Sequence, residues 1–495
     1  MTTSCSDIEA RLSPLDVAFL GLEKAAPMHL GAVLTLTPTP AGDVPAPASV
    51  AEVLRERAAR MPRLRQRITS TWTPPGGARW NEDPRFDVRA HIHTHQVPGG
   101  GWDALCALTA ELLRWPLELD RPPWGLHVVG GLDGGAVAVV VLLHHALCDG
   151  AAAIKLGLSL LDPRSATGSA LADEGSGVPM SRSAVSSWPP SPRELLRGAA
   201  SAAAEAGTVA LATTVEIARD PVAAAGRGRA WLATGTGIAV SVVRQMRLPA
   251  PRSALAAAVP RPRLRTPLAA RPAPSPRVVR MIRLDEARIR RIRRGHGGTS
   301  HDVMLAVLTC ALRTWLQARG EPVDDVSLRA LIPVNHRARS ITGGANQLSG
   351  YLVDLPVAQP DPVARLAAVR AAMHVNKTAG PGRGAGALPL LAHAVPPAAH
   401  RALAPLAARH TRVLFDLVVT TVRLPAVPLS LAGAAMGEVY PLVPLAPGHA
   451  LGIALCHHRG ALHIGLHGDA RTMPDVDKLA EAIPSAVTKL ADTVT

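Results

Sequence analysis

Runs of apolar residues at helical or alternating spacing mark two ordered stretches, separated by a long interval of small, polar and basic residues. The first stretch opens with a β-like segment at 31–36 and a Pro/Ala loop. A helix is predicted over 49–60, where Val50, Val53, Leu54 and Arg57 fall at helical spacing and Pro62 lies just beyond. Residues 87–97 alternate like a strand. A second helix is predicted over 102–115, with Leu105, Leu108, Leu112 and Leu113 as its stripe and Pro116 as its stop. Residues 136–143 read AVAVVVLL, a run too short and too β-branched for anything but a buried strand. It ends at His144, and an alanine-rich helix begins near Gly150.

Residues 163–278 change character. They are rich in Ala, Gly, Ser, Pro and Arg, with helical patches and little strand pattern, as expected of a long, partly helical crossover or linker. Periodicity then returns. A helix over 301–319 turns Val303, Met304, Val307, Leu308, Ala311, Leu312, Trp315 and Leu316 inward, with Ser300 as its N-cap. Strand pattern covers 326–334, and another helix opens at Asp361-Pro362. Late strands are predicted at 414–422, 450–455 and 462–467. The expected fold is α/β or α+β in two halves of similar size, 1–162 and 279–495, joined by the linker.

Composition narrows the classes. A chain of 495 residues with 47% hydrophobic content can build more than one ordinary core. The formal charge of +15 favours anionic partners such as a phosphorylated substrate or an acidic lipid surface. No helix-turn-helix, zinc-finger spacing or aromatic-basic signature supports nucleic acid. Arginine is used so heavily that a single one carries little functional weight. The five cysteines (Cys5, Cys106, Cys148, Cys310, Cys456) are scattered and form no CxxC pair, which fits a reducing cytoplasm and no structural zinc. Residues 1–16 lack an apolar signal core, and the apolar stretch 230–243 is short of the ~20 residues of a spanning helix. A soluble or peripheral protein is expected.

The sharpest chemical feature is His144-His145-Ala146-Leu147-Cys148-Asp149-Gly150. A buried strand delivers tandem histidines to a turn, and Asp-Gly then opens a helix. A strand end in a packed core fixes the imidazole, and neutral histidine is suited to taking a proton from a hydroxyl. The bland alternative makes His145 a satisfied core histidine and Asp149 a helix N-cap. The tandem histidines directly after AVAVVVLL favour function.

Other groups are weaker. His91, His93 and His95 alternate on the strand predicted at 87–97 and could share a face, but no carboxylate accompanies them and no metal site is expected. Arg288, Arg290, Arg291, Arg293 and Arg294 crowd one segment; they suit phosphate or a lipid surface as well as they suit a solvated helix face. The glycines before Thr299 and those at 380–386 lack P-loop context. No GxSxG elbow points to a serine esterase.

HHALCDG resembles the HHxxxDG signature of the coenzyme A-dependent acyltransferases, which include chloramphenicol acetyltransferases and nonribosomal condensation domains. The flanks resemble the bacterial wax ester synthase/diacylglycerol acyltransferase family: Leu12-Ser13-Pro14-Leu15-Asp16, Phe19-Leu20, Pro27-Met28-His29-Leu30-Gly31, and Leu119-Asp120-Arg121-Pro122-Pro123-Trp124 with Gly131-Leu132. Leu331-Ile332-Pro333-Val334, NQLSGYLVDLP at 346–356, Ala450-Leu451-Gly452-Ile453 and Pro474-Asp475 extend the likeness over nearly the whole chain except the linker. The resemblance implies two chloramphenicol acetyltransferase-like domains with the active site at their interface. Acyl-CoA would be the co-substrate, with no permanently bound cofactor. His145 would deprotonate a fatty alcohol or diacylglycerol hydroxyl, without a covalent acyl-enzyme. His144 accompanies it, Asp149 would hold the loop, and Gly150 would permit a tight turn.

By the same resemblance Trp124, His301, Asp302 and Asn346 are candidates for binding substrate. The chain departs from the family at Pro123, where leucine is usual, and at His301, where asparagine is usual. Thr420 to Pro425 departs from the family's TNVPGP, and His457-His458 stands for a usual Ser-Tyr. These departures leave room for another hydroxyl or amine acceptor, or for a catalytically silent lipid-binding homologue. The expected setting is cytoplasmic, at most peripheral to the inner face of the plasma membrane, with an anionic membrane or lipid droplet as a contact and no nucleic-acid partner.

Overall fold

The computed structural model describes residues 11–23, 25–37, 45–72, 76–163, 267–270, 275–324, 326–335, 348–379, 400–401, 412 and 414–494. The described residues fall in one compact unit built from 1–166 and 260–495. Most of the linker expected at 163–278 lies outside them, as does Asn346.

In chain order the elements before the linker are α1 (Pro14–Leu22), β1 (His29–Thr37), α2 (Pro47–Ala59), β2 (Gln66–Ser70), β3 (Ala78–Glu82), β4 (Ile92–Gln96), α3 (Trp102–Arg114), β5 (Trp124–Gly130), β6 (Val137–His144), α4 (Gly150–Ser159) and β7 (Asp162–Pro163). After it come β8 (Arg277–Asp285), α5 (Glu286–His296), α6 (Ser300–Ala318), β9 (Leu328–Asn335), β10 (Leu348–Leu355) and α7 (Pro362–Ala379). The chain closes with β11 (Leu417–Arg423), β12 (Leu429–Leu431), β13 (Ala434–Leu442), β14 (Leu451–His458), β15 (Ala461–Asp469) and α8 (Val476–Ala491). The fold is mixed α/β with two large sheets.

One sheet has seven strands in the order β4-β5-β6-β1-β13-β12-β7, the other six in the order β10-β9-β11-β14-β15-β8, and β2 pairs with β3 as a separate hairpin. Strands β12 and β13 come from beyond the linker yet complete the first sheet, where β13 runs antiparallel to β1. β6 shows why its sequence is almost unbroken in apolar residues. Val137, Val139 and Leu143 join one core with α2, while Ala138, Val140 and Leu142 join another with α3. A strand covered on both faces has no solvent side to carry polar residues. In the second sheet, α6 and α8 bury their stripes against β14 and β15, with Trp315 fully enclosed.

Three local expectations need correction. Residues 88–91 form a 3-10 turn capped by Asp87, and only 92–96 are strand. The N-cap of α6 is Thr299, not Ser300: its hydroxyl accepts from Asp302 N–H, and Asp302 returns the bond to the Thr299 backbone, a capping box. Gly150 has no left-handed backbone, so a tight turn is not what the glycine provides.

Candidate active site

The candidate site residues gather at the end of β6. His144 is fully buried, and its Nδ1 accepts a hydrogen bond from Ala146 N–H at 3.0 Å. That bond places the proton of the neutral ring on Nε2, which lies 3.2 Å from Glu23 Oε2. The same carboxylate oxygen accepts from Met28 N–H at 2.5 Å. His29, the register partner of His144 on β1, is buried beside this pair and is pushed down to about 4, chiefly by burial.

His145 differs from its neighbour in being only half-buried. Its backbone N–H donates to Met28 O at 2.9 Å, which ties the turn to the start of β1. Its imidazole stacks on Phe19 of α1, with ring centroids 4.0 Å apart and planes 18° from parallel. Burial pushes it down to about 4 and His144 adds to the fall, while a hydrogen bond to its own backbone and the carboxylate of Asp149 oppose it. At neutral pH the ring is an uncharged imidazole, the form that can take a proton.

Asp149 is the N-cap of α4, its Oδ1 accepting from Ala152 N–H at 2.8 Å. Asp149→Ala is therefore expected to lower stability by about 1 kcal/mol, while Asp149→Asn, an equally good cap, stays near wild type; thermal melting checks the pair. Gly150 begins α4, and a Cβ there would meet only Val422 Cγ1, at 4.0 Å. The first turn of the helix after the tandem histidines thus faces β11 of the other sheet.

Next to Val422, Thr421 Oγ1 lies 3.1 Å from His301 Nδ1. His301 sits in the first turn of α6 and is pushed down to about 4, mainly by burial. Asp302 is spent on the capping box, with Lys377 Nζ at 3.6 Å from its Oδ1. His457 Nδ1 is 3.2 Å from Glu286 Oε1, and His458 is buried beside it in β14.

Residues 12–304 match the family model for the wax ester synthase/diacylglycerol acyltransferase catalytic domain, and 344–491 match the WS/DGAT C-terminal domain. The chain belongs to this family. It is an acyltransferase. It is 27% identical to the probable diacylglycerol O-acyltransferase tgs1 of Mycobacterium tuberculosis over 491 residues, covering 97% of this chain and 95% of that one. It is 28% identical to the probable diacylglycerol O-acyltransferase tgs2 of the same species, covering 98% and 99%. Among solved structures, the wax ester synthase/diacylglycerol acyltransferase of Marinobacter aquaeolei VT8 superposes with a TM-score of 0.66 at 21% identity, over 98% of this chain and 99% of that one. The first condensation domain of the CDA synthetase gives 0.52 at 16%, over 98% and 96%. These likenesses establish the chloramphenicol acetyltransferase-like fold.

Within this acyltransferase the remaining candidates separate. Trp124 is a core residue: its indole N–H donates to Leu64 O at 2.7 Å, and its ring stacks on His91. His91 belongs to that core and shares no face with His93 and His95, which gather instead around His127 on β5. Among the described residues no group of three His, Cys, Asp or Glu side chains is disposed to hold a metal ion. Of the arginines of α5, Arg288 donates to Thr488 Oγ1 of α8, Arg291 to Val494 O just beyond that helix, and Arg290 lies 3.5 Å from Glu286 Oε2, while Arg293 and Arg294 stay exposed. Glu23, Met28 and Thr421 were not singled out by sequence as site residues. Phe19 and Glu23 fall one helical turn apart, a weak signal, and nothing local reveals that they meet His145 and His144.

Proposed function

We propose that this acyltransferase moves a long-chain acyl group from acyl-CoA to the hydroxyl of diacylglycerol or a fatty alcohol, with His145 as general base. The observation that carries the reading is a half-buried, uncharged imidazole at the end of β6, held by Met28 and stacked on Phe19. His145 takes the acceptor's proton, the acceptor oxygen bonds to the thioester carbonyl carbon, the C–S bond breaks, and the proton returns to the departing thiolate. No covalent acyl-enzyme forms, and no resident cofactor is needed beyond the acyl-CoA co-substrate.

In this reading the two halves, 1–162 and 279–495, each supply one wall. Substrate lies between the end of β6 and the end of β11, where His301 and Thr421 add polar groups. Among the described residues no helix is long and apolar enough to cross a membrane. The exposed Arg293 and Arg294, with a net charge of +15, suit peripheral contact with an anionic membrane or lipid droplet from the cytoplasmic side. The test is thiol release from palmitoyl-CoA on adding hexadecanol or a diacylglycerol. One thiol per ester formed is expected; acyl-CoA that binds and is not turned over with either acceptor would refute the assignment.

A further inference from the structure

Helix α1 grips both histidines of the motif from one face. A capping box between Ser13 and Asp16 fixes its start, and Glu23 N–H closes its last turn on Phe19 O at 3.0 Å. Residues four apart leave a helix on the same side. Glu23 reaches His144 and the Met28 N–H, while Phe19 lies flat against His145. Two side chains one turn apart therefore hold two consecutive residues at the end of β6.

The two contacts are chemically unlike. Glu23 meets a histidine that is wholly enclosed, so it fixes the backbone turn. Phe19 meets the ring of the half-buried His145, face to face. The face of a benzene ring is the negative end of its quadrupole, so a cation above it is attracted more strongly than a neutral group. We propose that Phe19 is a positioning residue of the acyl transfer, its ring face stabilising the imidazolium that His145 becomes on taking the acceptor's proton. This rests on His145 being the base. The attraction appears only as charge develops, so it acts on the transition state more than on bound substrate.

The groups around the imidazole leave a place for such a contribution. His144, from the same strand end, opposes positive charge on it. Asp149, from the start of α4, and the ring's bond to its own backbone favour positive charge, and burial outweighs them. Helix α1, which also carries Asp16 and ends at Glu23, adds the Phe19 face directly against the ring.

The experiment uses the full chain with palmitoyl-CoA and hexadecanol, followed by thiol release across pH. Phe19→Leu and Phe19→Met remove the ring, the second keeping more of its reach should the first fail to fold. Both are expected to lower kcat by about tenfold with little change in KM. Both should move the acid limb of kcat/KM to lower pH by about half a unit or more, because the protonated base has lost a stabilising contact. Phe19→Tyr keeps the ring and should restore rate and limb together. An unmoved limb in the Leu and Met variants, or an equal loss in Phe19→Tyr, would overturn the role of Phe19. His145→Ala separates the two readings: turnover persisting there refutes the base itself, whereas a dead His145→Ala beside an unshifted Phe19→Leu refutes only the aromatic contribution.

Discussion

His145→Ala is expected to lower kcat for acyl transfer by about two to four orders of magnitude, the range that a positioned general base supplies. The fold should survive the change. The bond that anchors the turn runs from the His145 backbone to Met28 O, and alanine keeps it. The ring that is lost stacks on Phe19 of α1 and is not part of that backbone anchor. The companion substitution His144→Ala acts differently, since it leaves Glu23 enclosed without the imidazole it faces, and the damage falls on stability. Thiol release and melting curves on the two variants separate chemistry from folding. The pH profile adds a signed expectation. A base pushed down to about 4 is deprotonated at every pH well above that value, and activity should fall only as pH drops through about 4, not near 6.5. Unchanged thiol release by His145→Ala would show that another group takes the proton.

The end of β6 could be read from sequence because two layers cover it. With cores on both faces the strand shows as an unbroken apolar run, and the first polar residues after it stand out. Helix α6 was equally legible, since Val303, Leu308, Leu312 and Trp315 all face inward. Other elements hid for physical reasons. In β8, arginine recurs every third residue, at Arg277, Arg280 and Arg283, which breaks the two-residue alternation and masked a strand whose Val279 and Met281 pack against α3. In β13, Gly437 and Pro441 break the β pattern, and pairing with β1 and β12 explains the strand. The grip of α1 on the motif was invisible for another reason: Phe19 and Glu23 meet partners more than a hundred residues away, and no local periodicity encodes such a contact.

The second large effect is expected at Gly465, in the seam between the two sheets. Gly465 pairs with Ala454 on one side and Met281 on the other, in the middle of β15. A Cβ there would run into the carbonyl oxygen of Pro441 and come within 2.9 Å of Leu442 Cδ2. From the opposite side Gly31 leaves equally little room, since a Cβ on it would lie 3.1 Å from Leu442 Cβ and 3.2 Å from Leu113 Cδ2. Two glycines thus let β13 pass between β1 and β15. A side-chain tip could rotate away from an added methyl, but a backbone carbonyl in a paired strand can move only with the strand. Gly465→Val should therefore lower stability by about 3 kcal/mol, read from the denaturant midpoint, and Gly465→Ala by less with the same sign. The loss should extend to activity, because β13 is paired to β1, and β1 to the strand that ends in the tandem histidines. A wild-type midpoint for Gly465→Val would mean that the two sheets do not approach this closely in solution.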